Sequence, residues 1–265
     1  MKVGFIGTGN MGAALAKAVS ATGLFSVSLY DKDEAKASLL ANEIGAQFSP
    51  LSCLTSECDI IFLGVKPNIL PSVLKELATG LKDRCDAMLV SMAAGVSLST
   101  IEAYLGFSFP TVRIMPNTPV AYGKGMILYT PSASVSSKQE QAFTSMLSKA
   151  GLLDKIDERL MDAASAVSGC GPAFAFMFVE ALADGGVAAG LPRDKAQLYA
   201  AQMLLGSATS VLQSGIHPGA LKDAVCSPGG STIEGVMALE DGGFRGVVSD
   251  AVIASFEKTK RLGKQ

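Results

Sequence analysis

The spacing of apolar and polar positions divides the chain into two parts near residue 157. Before that point, short apolar runs alternate with segments in which apolar residues recur every three or four positions, a pattern typical of strands alternating with helices. The predicted strands are residues 2–6, 26–30, 59–65, 87–91 and 111–115, with an edge strand at 125–129. The predicted helices are residues 13–21, 34–44, 69–77, a segment after Ser97, and 136–150. This alternation predicts a mainly parallel sheet with helices on both faces.

Beyond residue 157 the strand-like runs stop, and helical periodicity continues to the end of the chain. A turn at residues 167–171 precedes a long apolar helix with Pro172 in its first turn, where proline is well tolerated. A second helix is predicted from Leu191 to about residue 213, and a third begins near residue 231. The sequence therefore predicts two domains, an α/β domain over residues 1–157 and an all-α domain over residues 158–265.

A glycine-rich turn follows Ile6 and joins the first predicted strand to the first helix, with the sequence Gly7-Thr8-Gly9-Asn10-Met11-Gly12. In dinucleotide-binding motifs the first glycine permits a tight turn, the second lets a pyrophosphate approach, and the third allows close helix packing. The position of the motif between strand and helix favours a dinucleotide over the alternative, a turn used only for packing. The first domain is therefore predicted to be a doubly wound Rossmann domain that binds NADH or NADPH.

Asp31 ends the second predicted strand, 19 residues after Gly12. An acid at this place would accept the ribose hydroxyls of NAD and repel the extra phosphate of NADP. Lys32 and Lys36 lie nearby and could offset that repulsion. An equally good alternative is that Asp31 caps the helix at residues 34–44. The sequence leaves the choice between NADH and NADPH open.

The carboxyl ends of the other strands carry further candidate cofactor residues. Ligands of parallel sheets bind at the carboxyl ends of the strands, so residues that follow neighbouring strands should line one crevice. For Lys66 the alternative is an ordinary solvated loop lysine. The candidates placed by position are Val65, Lys66, Pro67, Ala93 and Asn117.

Composition adds an expectation about assembly. Apolar residues make up 49% of the chain and charged residues 17%, and the mean hydropathy is +0.36. No stretch reaches the roughly 18 to 20 uninterrupted apolar residues of a membrane span. We therefore expect the apolar excess to be buried between subunits, with no membrane partner. The net charge of −2 predicts no general attraction to nucleic acid.

Cysteine and histidine usage narrows the chemistry. The five cysteines are odd in number and lack metal-ligand spacing, and no secretory signal is expected, so reduced thiols and a cytoplasmic location are predicted. They are Cys53, Cys58, Cys85, Cys170 and Cys226. His217 is the only histidine, which leaves little material for a histidine-based triad or a metal site. No metal is expected.

The stretch from Val225 to Ile233 is the second candidate site. It contains a proline, two glycines and two hydroxyl residues, and an apolar-periodic segment follows it. Ser231 or Thr232 is predicted to cap the following helix. The free amides and the positive end of the helix dipole would bind a small anion such as a carboxylate. The alternative is an ordinary loop that begins a helix.

Four segments together resemble the pyrroline-5-carboxylate reductase family. They are VGFIGTGNMG at residues 3–12, RIMPNTP at 113–119, SGCGPA at 168–173 and LKDAVCSPGGSTI at 221–233. The resemblance covers essentially the whole chain, and the last segment is the most specific. It implies reduction of a cyclic imine carboxylate to proline by NAD(P)H. It also implies a helical second domain that interlocks with another subunit into a homodimer, often within a ring of dimers (a decamer).

The resemblance also implies roles for residues at both sites. Thr232 would bond the ring nitrogen as the catalytic residue, and Ala93 and Asn117 would border the nicotinamide. The predicted substrate residues are Val225, Ser227, Gly229, Gly230, Ser231 and Thr232. The predicted cofactor residues are Ile6, Gly7, Thr8, Gly9, Asn10, Met11, Gly12, Asp31, Val65, Lys66, Pro67, Ala93 and Asn117. Two positions depart from the family pattern: Leu51 stands where an asparagine is frequent, and Asp31 is an unusual neighbour for a 2′-phosphate.

Two other functions compete with the imine reductase. A 3-hydroxyacid dehydrogenase of similar build needs a general base, typically a lysine on the first long helix of the second domain, and residues 172–189 contain none. A non-enzymatic dimer that senses NAD(P) would need only the Rossmann half, and the intact 225–233 stretch argues against it.

Overall fold

The structure is a computed structural model that describes residues 1–84 and 86–262. The chain divides into two units. Unit 1 contains Met1–Cys170 and the chain from Ser255 onward, and unit 2 contains Gly171–Ala254. The predicted domain boundary between residues 157 and 158 stays a prediction.

An eight-stranded sheet forms the centre of unit 1, in the order β3-β2-β1-β4-β5-β6-β7-β8. Its strands are β1 (Lys2–Ile6), β2 (Ser26–Tyr30), β3 (Gln47–Phe48), β4 (Ile60–Leu63), β5 (Met88–Ser91), β6 (Thr111–Pro116), β7 (Gly125–Pro131) and β8 (Gly151–Lys155). The first six strands are parallel, β7 is antiparallel to β6, and β8 is parallel to β7. The strand order reverses between β1 and β4, which is where ligands bind in doubly wound sheets.

Helices cover both faces of this sheet. They are α1 (Asn10–Ser20), α2 (Glu34–Ile44), α3 (Leu51–Glu57), α4 (Leu70–Leu81), α5 (Leu98–Leu105), α6 (Ser137–Met146) and α7 (Met161–Ser168). Adjacent residues of β4 point to opposite faces, so Ile61 belongs to one apolar cluster and Phe62 to the other. Phe62 stacks on Phe5 of β1 with ring centroids 4.5 Å apart. The predicted fold class is confirmed for this unit.

The structure corrects the prediction in three places. Helix α6 ends at Met146 rather than at residue 150, and the chain then forms β8, so β7 is not the edge strand. The sequence signal for β8 is weak because its two leucines are adjacent and do not alternate with polar residues, and Leu152 is 64% exposed. Helix α3 and the two-residue strand β3 were not predicted, since both are too short to establish a periodicity.

A buried arginine connects the sheet to helix α7. The Arg113 side chain on β6 is only 4% exposed, and its guanidinium donates to Glu158 at 3.2 Å and to Asp162 at 2.8 Å. Glu158 also accepts the backbone N–H of Leu98 at 2.7 Å. These charge-assisted bonds tie β6 to the beginning of α7 and to the segment before it.

Unit 2 is entirely helical in the part of the chain described. Its helices are α8 (Gly171–Ala188), α9 (Arg193–Ser214), α10 (Pro218–Ala224) and α11 (Ser231–Asp241), and α12 (Phe244–Leu262) begins in it. Helices α8 and α9 pack through small residues: a Cβ on Gly186 would lie 3.2 Å from the Cβ of Ala196. Phe178 and Phe244 also pack, with ring centroids 5.8 Å apart. The predicted all-helical character of this part is confirmed.

The helices of unit 2 expose much apolar surface within the single chain. Ala183 is the one fully buried residue of α8, while Phe176 and Met177 are 66% and 68% exposed. Among the described residues, one helical stretch, Glu158–Ala188, is long and apolar enough to cross a membrane by length and composition alone, with 11% of its most apolar window buried. Large apolar side chains exposed together in this way indicate a surface that another molecule covers.

The Arg113 contacts lead to a stability prediction. Arg113→Ala should lower the free energy of unfolding by about 3 kcal/mol, because it leaves two carboxylates without the cation that neutralises them. Urea unfolding of the purified protein measures this. Arg159→Ala is the matched control, since Arg159 pairs with Asp157 on the surface and such pairs contribute little. Equal losses for the two variants would contradict the assigned role of Arg113.

Candidate active site

The turn after β1 has the backbone geometry of a phosphate-binding loop. Gly7 has φ +96°, a value that side chains disfavour, and its N–H donates to the carbonyl of Tyr30 at 2.8 Å. Gly9 is the N-cap of α1 in an extended conformation, and no side chain caps the helix. The first N–H groups of a helix have no partner within it. They therefore remain available at this end of α1.

Three glycines of unit 1 approach each other too closely for side chains. A Cβ on Gly7 would lie 2.7 Å from the carbonyl oxygen of Gly64, and a Cβ on Gly64 would lie 2.7 Å from that of Gly7. A Cβ on Gly12 would overlap the carbonyl oxygen of Gly7. This contact seats the beginning of α1 directly against the ends of β1 and β4.

Gly9 is different, because no atom lies within 4 Å of the place its Cβ would take. Open space beside uncapped helix amides fits the pyrophosphate of a dinucleotide, which needs close backbone approach and a positive helix end. The residues present therefore fit the cofactor predicted from the motif.

A cavity of about 670 Å³ lies beside this loop within unit 1. Residues of the loop, of the ends of β2 and β4, and of α2, α3 and α4 line it. They are Ile6, Gly7, Gly9, Tyr30, Asp31, Lys32, Lys36, Leu51, Gly64, Val65, Lys66, Ile69, Ser72, Val73 and Glu76. Six of the predicted cofactor residues lie in this lining: Ile6, Gly7, Gly9, Asp31, Val65 and Lys66.

Asp31 is bonded to the glycine-rich loop. Its Oδ2 accepts the backbone N–H of Thr8 at 2.6 Å and the Thr8 hydroxyl at 2.9 Å, and its Oδ1 accepts the N–H of Asp33 at 3.1 Å. Burial alone would raise the pKa of Asp31, but the bonds from Thr8 and Asp33 outweigh it and hold the pKa below its usual value. The alternative that Asp31 caps α2 is wrong, because Asp33 is the N-cap and accepts the N–H of Lys36.

Thr8, described above, and the remaining predicted cofactor residues lie outside the lining of this cavity. Asn10, Met11 and Gly12 form the first turn of α1. Pro67 follows β4 in the loop before α4, and Ala93 is buried after β5. Asn117 follows β6, where its Nδ2 donates to the carbonyl of Ser168 at 2.9 Å and its Oδ1 accepts the N–H of Met126 at 2.9 Å. Its amide thus holds two neighbouring segments in place, and its place beside the nicotinamide stays a prediction.

Sequence reasoning missed the contribution of α4 to the cavity. Ile69, Ser72, Val73 and Glu76 face it but belong to no motif. The available signal was topological, because the helix that follows β4 begins at the same sheet edge as the glycine loop. Leu51, at the beginning of α3, places an apolar side chain in the lining.

The loop of unit 2 between α10 and α11 forms a tight turn. The N–H of Gly230 donates to the carbonyl of Ser227 at 3.0 Å, and Gly229, the third residue of the turn, has φ +67°. Proline at the second position and a positive φ at the third are the pattern of a type II turn. A Cβ on Gly230 would overlap the Ser227 hydroxyl oxygen. Pro228 and the two glycines thus bring the Ser227 hydroxyl close to the N-terminal end of α11.

The N-terminal end of α11 has no side-chain cap, which corrects one prediction. Gly230 is the N-cap, with φ −82° and ψ 167° and no side-chain bond, and Ser231 and Thr232 lie inside the first turn. The expectation that Ser231 or Thr232 caps the helix is therefore wrong. Since no side chain occupies the first amides, they remain free for an anion. Val225, Ser227, Gly229, Ser231 and Thr232 are all exposed in the single chain.

Among the described cysteines, Cys58 is held in its unreactive thiol form by burial. Cys53, Cys58, Cys170 and Cys226 are free thiols, and burial raises the pKa of Cys58 to about 11. Cys85 lies outside the described residues. Within the described residues, no group of three or more histidine, cysteine or acidic side chains could hold a metal ion.

Relatives of known activity match the chain over its whole length. It is 40% identical over 267 residues to pyrroline-5-carboxylate reductase of Escherichia coli (strain K12), an alignment that covers 99% of this chain and 98% of that protein. The chain belongs to the pyrroline-5-carboxylate reductase family. It is also 39% identical over 270 residues to the human pyrroline-5-carboxylate reductase 2, with 99% of this chain and 84% of that protein covered.

Solved structures and family models agree with this membership. The pyrroline carboxylate reductase of Plasmodium falciparum, solved with NADP bound, superposes with a TM-score of 0.90 at 33% identity and covers 99% of this chain and 98% of its own. Residues 158–262 match the pyrroline-5-carboxylate reductase dimerisation model, and residues 2–95 match the model named NADP oxidoreductase coenzyme F420-dependent. The apolar surface of unit 2 therefore belongs to a dimerisation domain, and the expected homo-oligomer is supported.

The glycine loop gives a paired prediction. Gly9→Ala should leave the melting temperature nearly unchanged, because the added methyl group enters open space, yet weaken dinucleotide binding by about tenfold or more by blocking the pyrophosphate. Gly12→Ala should both weaken dinucleotide binding and lower the melting temperature, because its methyl group overlaps the Gly7 carbonyl. Calorimetric titration and thermal unfolding of both variants measure this. Undiminished dinucleotide binding by Gly9→Ala would contradict the proposed cradle.

Proposed function

We propose that this protein reduces the cyclic imine 1-pyrroline-5-carboxylate to L-proline with NAD(P)H, the last step of proline biosynthesis. The observation that carries the proposal is the uncapped amide turn at residues 227–232, which suits a small carboxylate, in a chain that belongs to this enzyme family throughout its length. Bound NAD(P)H supplies the hydride, which adds to the carbon of the C=N bond. The ring nitrogen takes one proton, and proline and NAD(P)⁺ leave.

The carboxylate of the substrate is assigned to the turn before α11. The amides of Ser231 and Thr232, the first two of α11, would donate to it at the positive end of the helix, and the Ser227 hydroxyl would add a third donor. Gly230 would shape this site, because its own N–H closes the turn on the Ser227 carbonyl. Val225 and Gly229 would shape the pocket around the ring. This arrangement recognises the one permanent negative charge of the substrate without a cationic side chain.

Thr232 is assigned to the ring nitrogen. An imine carbon is already electrophilic, so the reaction needs an oriented substrate and one proton, with no enzyme nucleophile. The Thr232 hydroxyl can hold the nitrogen in place, but it is a poor acid near neutral pH. We propose that the substrate enters already protonated or takes its proton through water. His217 has another task, since its Nδ1 accepts the N–H of Gly219 at 3.1 Å and caps α10.

The cofactor is assigned to unit 1. Ile6, Gly7 and Thr8 would shape the loop, and Gly9 with the uncapped first turn of α1 (Asn10, Met11 and Gly12) would hold the pyrophosphate. Val65, Lys66 and Pro67 would border the dinucleotide after β4. Ala93 and Asn117 are assigned to the nicotinamide side. Asn117, whose amide bonds Ser168 and Met126, would keep that side rigid.

We further propose an obligate homodimer in the cytoplasm, with helices of both chains contributing to each substrate site. The support is the exposed apolar surface of α8 and the dimerisation model that covers it. A ring of dimers is a larger assembly that sedimentation distinguishes from the dimer.

The reaction itself is tested with purified protein. We expect oxidation of NADH or NADPH in the presence of 1-pyrroline-5-carboxylate, and no reduction of NAD⁺ or NADP⁺ with a panel of 3-hydroxy acids. Turnover of a hydroxy acid would favour the dehydrogenase alternative. Cofactor binding without turnover of any imine would favour a nucleotide-sensing dimer.

The role of Thr232 is tested by removing its hydroxyl. Thr232→Ala should lower kcat by about 10²-fold, the scale of losing one positioning donor, while dinucleotide affinity stays unchanged. Thr232→Ser, which retains the hydroxyl, should recover most of the activity. Steady-state kinetics and calorimetric titration measure both effects, and an unchanged kcat in Thr232→Ala would remove the residue from this role.

The dimer is tested by placing a charge on the apolar surface of unit 2. Phe176→Asp should convert the dimer to monomer in sedimentation velocity at micromolar concentration, because a carboxylate cannot be buried there without a partner. Leu39→Asp, at a residue of α2 that is 72% exposed, is the control and should leave the dimer intact. A wild-type monomer at micromolar concentration would refute the obligate dimer.

A further inference from the structure

We propose that Asp31 makes this protein select NADH over NADPH, an inference that rests on the proposed use of a nicotinamide dinucleotide. Asp31 stands directly after β2, at the carboxyl edge of the sheet, and lines the cavity beside the glycine loop. In Rossmann domains this is the place of the adenosine ribose. The identity of the side chain there therefore acts on the 2′ position, the one position at which the two cofactors differ.

The carboxylate of Asp31 is fixed in orientation. Thr8, which is 1% exposed, donates both its N–H and its hydroxyl to Oδ2, and the N–H of Asp33 donates to Oδ1. Thr8 lies between the two glycines of the phosphate-binding turn, so the acid is attached to the turn itself. It cannot swing out to admit a larger group without releasing the turn.

These bonds leave Asp31 able to hold a ribose hydroxyl but not a phosphate. A carboxylate offers about four acceptor positions, and the three bonds leave one free on Oδ1. A ribose hydroxyl can donate to that position. A 2′-phosphate carries about two negative charges near neutral pH and has little or no proton to donate. The same bonds keep the pKa of Asp31 below its usual value, so the acid stays charged near the phosphate position.

Two nearby lysines act against this selectivity, because their positive charges favour a phosphate. Lys32 and Lys36 line the same cavity and could attract a 2′-phosphate. Both are exposed, and a lysine ammonium is strongly hydrated and lies at the end of a flexible side chain. Lys36 also already interacts with the charge of Asp31. Among the described residues that line the cavity, none is an arginine, the side chain that suits a phosphate by its planar fork. The fixed carboxylate therefore outweighs the mobile ammonium groups.

The test is calorimetric titration of the full-length protein with NAD⁺ and with NADP⁺. The wild type should bind NAD⁺ more tightly than NADP⁺ by about 10²-fold, the scale of a close like-charge contact. Asp31→Asn should reduce this ratio to about tenfold or less, mainly by tightening NADP⁺ binding, because it removes the negative charge beside the 2′-phosphate. The amide oxygen can still accept the N–H of Thr8, so the turn should keep its conformation. Glu34→Gln removes a charge three residues away, outside the cavity lining, and should leave the ratio unchanged.

Three results would overturn the inference. They are tighter binding of NADP⁺ than of NAD⁺ by the wild type, an unchanged ratio in Asp31→Asn with an unaltered melting temperature, and binding of neither nucleotide. If the wild type prefers NADP⁺, the double variant Lys32→Ala/Lys36→Ala shows the reason. A loss of NADP⁺ affinity alone in that variant would assign the 2′-phosphate to the lysines instead. Selective NAD⁺ binding without turnover of the imine would refute the proposed function while leaving the role of Asp31 intact.

Discussion

The carbonyl oxygen of Gly7 occupies the space that a Cβ of Gly12 or of Gly64 would need. This contact between three backbone segments lets α1 begin directly at the ends of β1 and β4, where the strand order reverses. The open space at Gly9 and the uncapped amides of α1 lie at this same turn. Asp31 then fixes the same turn from the side of β2 through Thr8. In the proposed function, cofactor binding would thus depend first on the missing side chains of Gly7, Gly12 and Gly64 and second on the Asp31 carboxylate.

In the proposed function, unit 2 would bind a different anion, the substrate carboxylate, in a similar way. The turn from Ser227 to Gly230 and the uncapped beginning of α11 offer amides in place of a cationic side chain. The reaction needs little more, since hydride addition to an imine requires orientation and one proton. The apolar helices around this turn are exposed in the single chain and belong to a dimerisation domain. Assembly and substrate binding are therefore linked in this account.

Much of this architecture could be predicted from the sequence because its signals are local. Strand β4 is a short apolar run, β1, β2, β5 and β6 are short segments rich in apolar residues, and each glycine of the motif has its own steric reason. Strands β3 and β8 could not be predicted, since their pairing is set by distant neighbours and Leu152 faces outward.

The cap of α11 and the partners of Asp31 were outside the reach of sequence reasoning for a similar reason. Ser231 and Thr232 are good capping residues, but the backbone turns one residue earlier and places Gly230 at the cap. The bonds from Thr8 to Asp31 join residues 23 positions apart, and no local sequence pattern predicts such a contact. Family resemblance supplied the roles at the substrate loop, and the residues of this stretch alone would have favoured an ordinary loop that begins a helix.

The most direct measurement follows the hydride. Purified protein is incubated with 1-pyrroline-5-carboxylate and with NADH or NADPH carrying deuterium at both C4 positions of the nicotinamide, and the product is analysed by mass spectrometry. The account predicts proline with one deuterium on the ring carbon that was double-bonded to nitrogen, together with equimolar oxidised cofactor. Proline without deuterium, or oxidation of cofactor without proline, would contradict it.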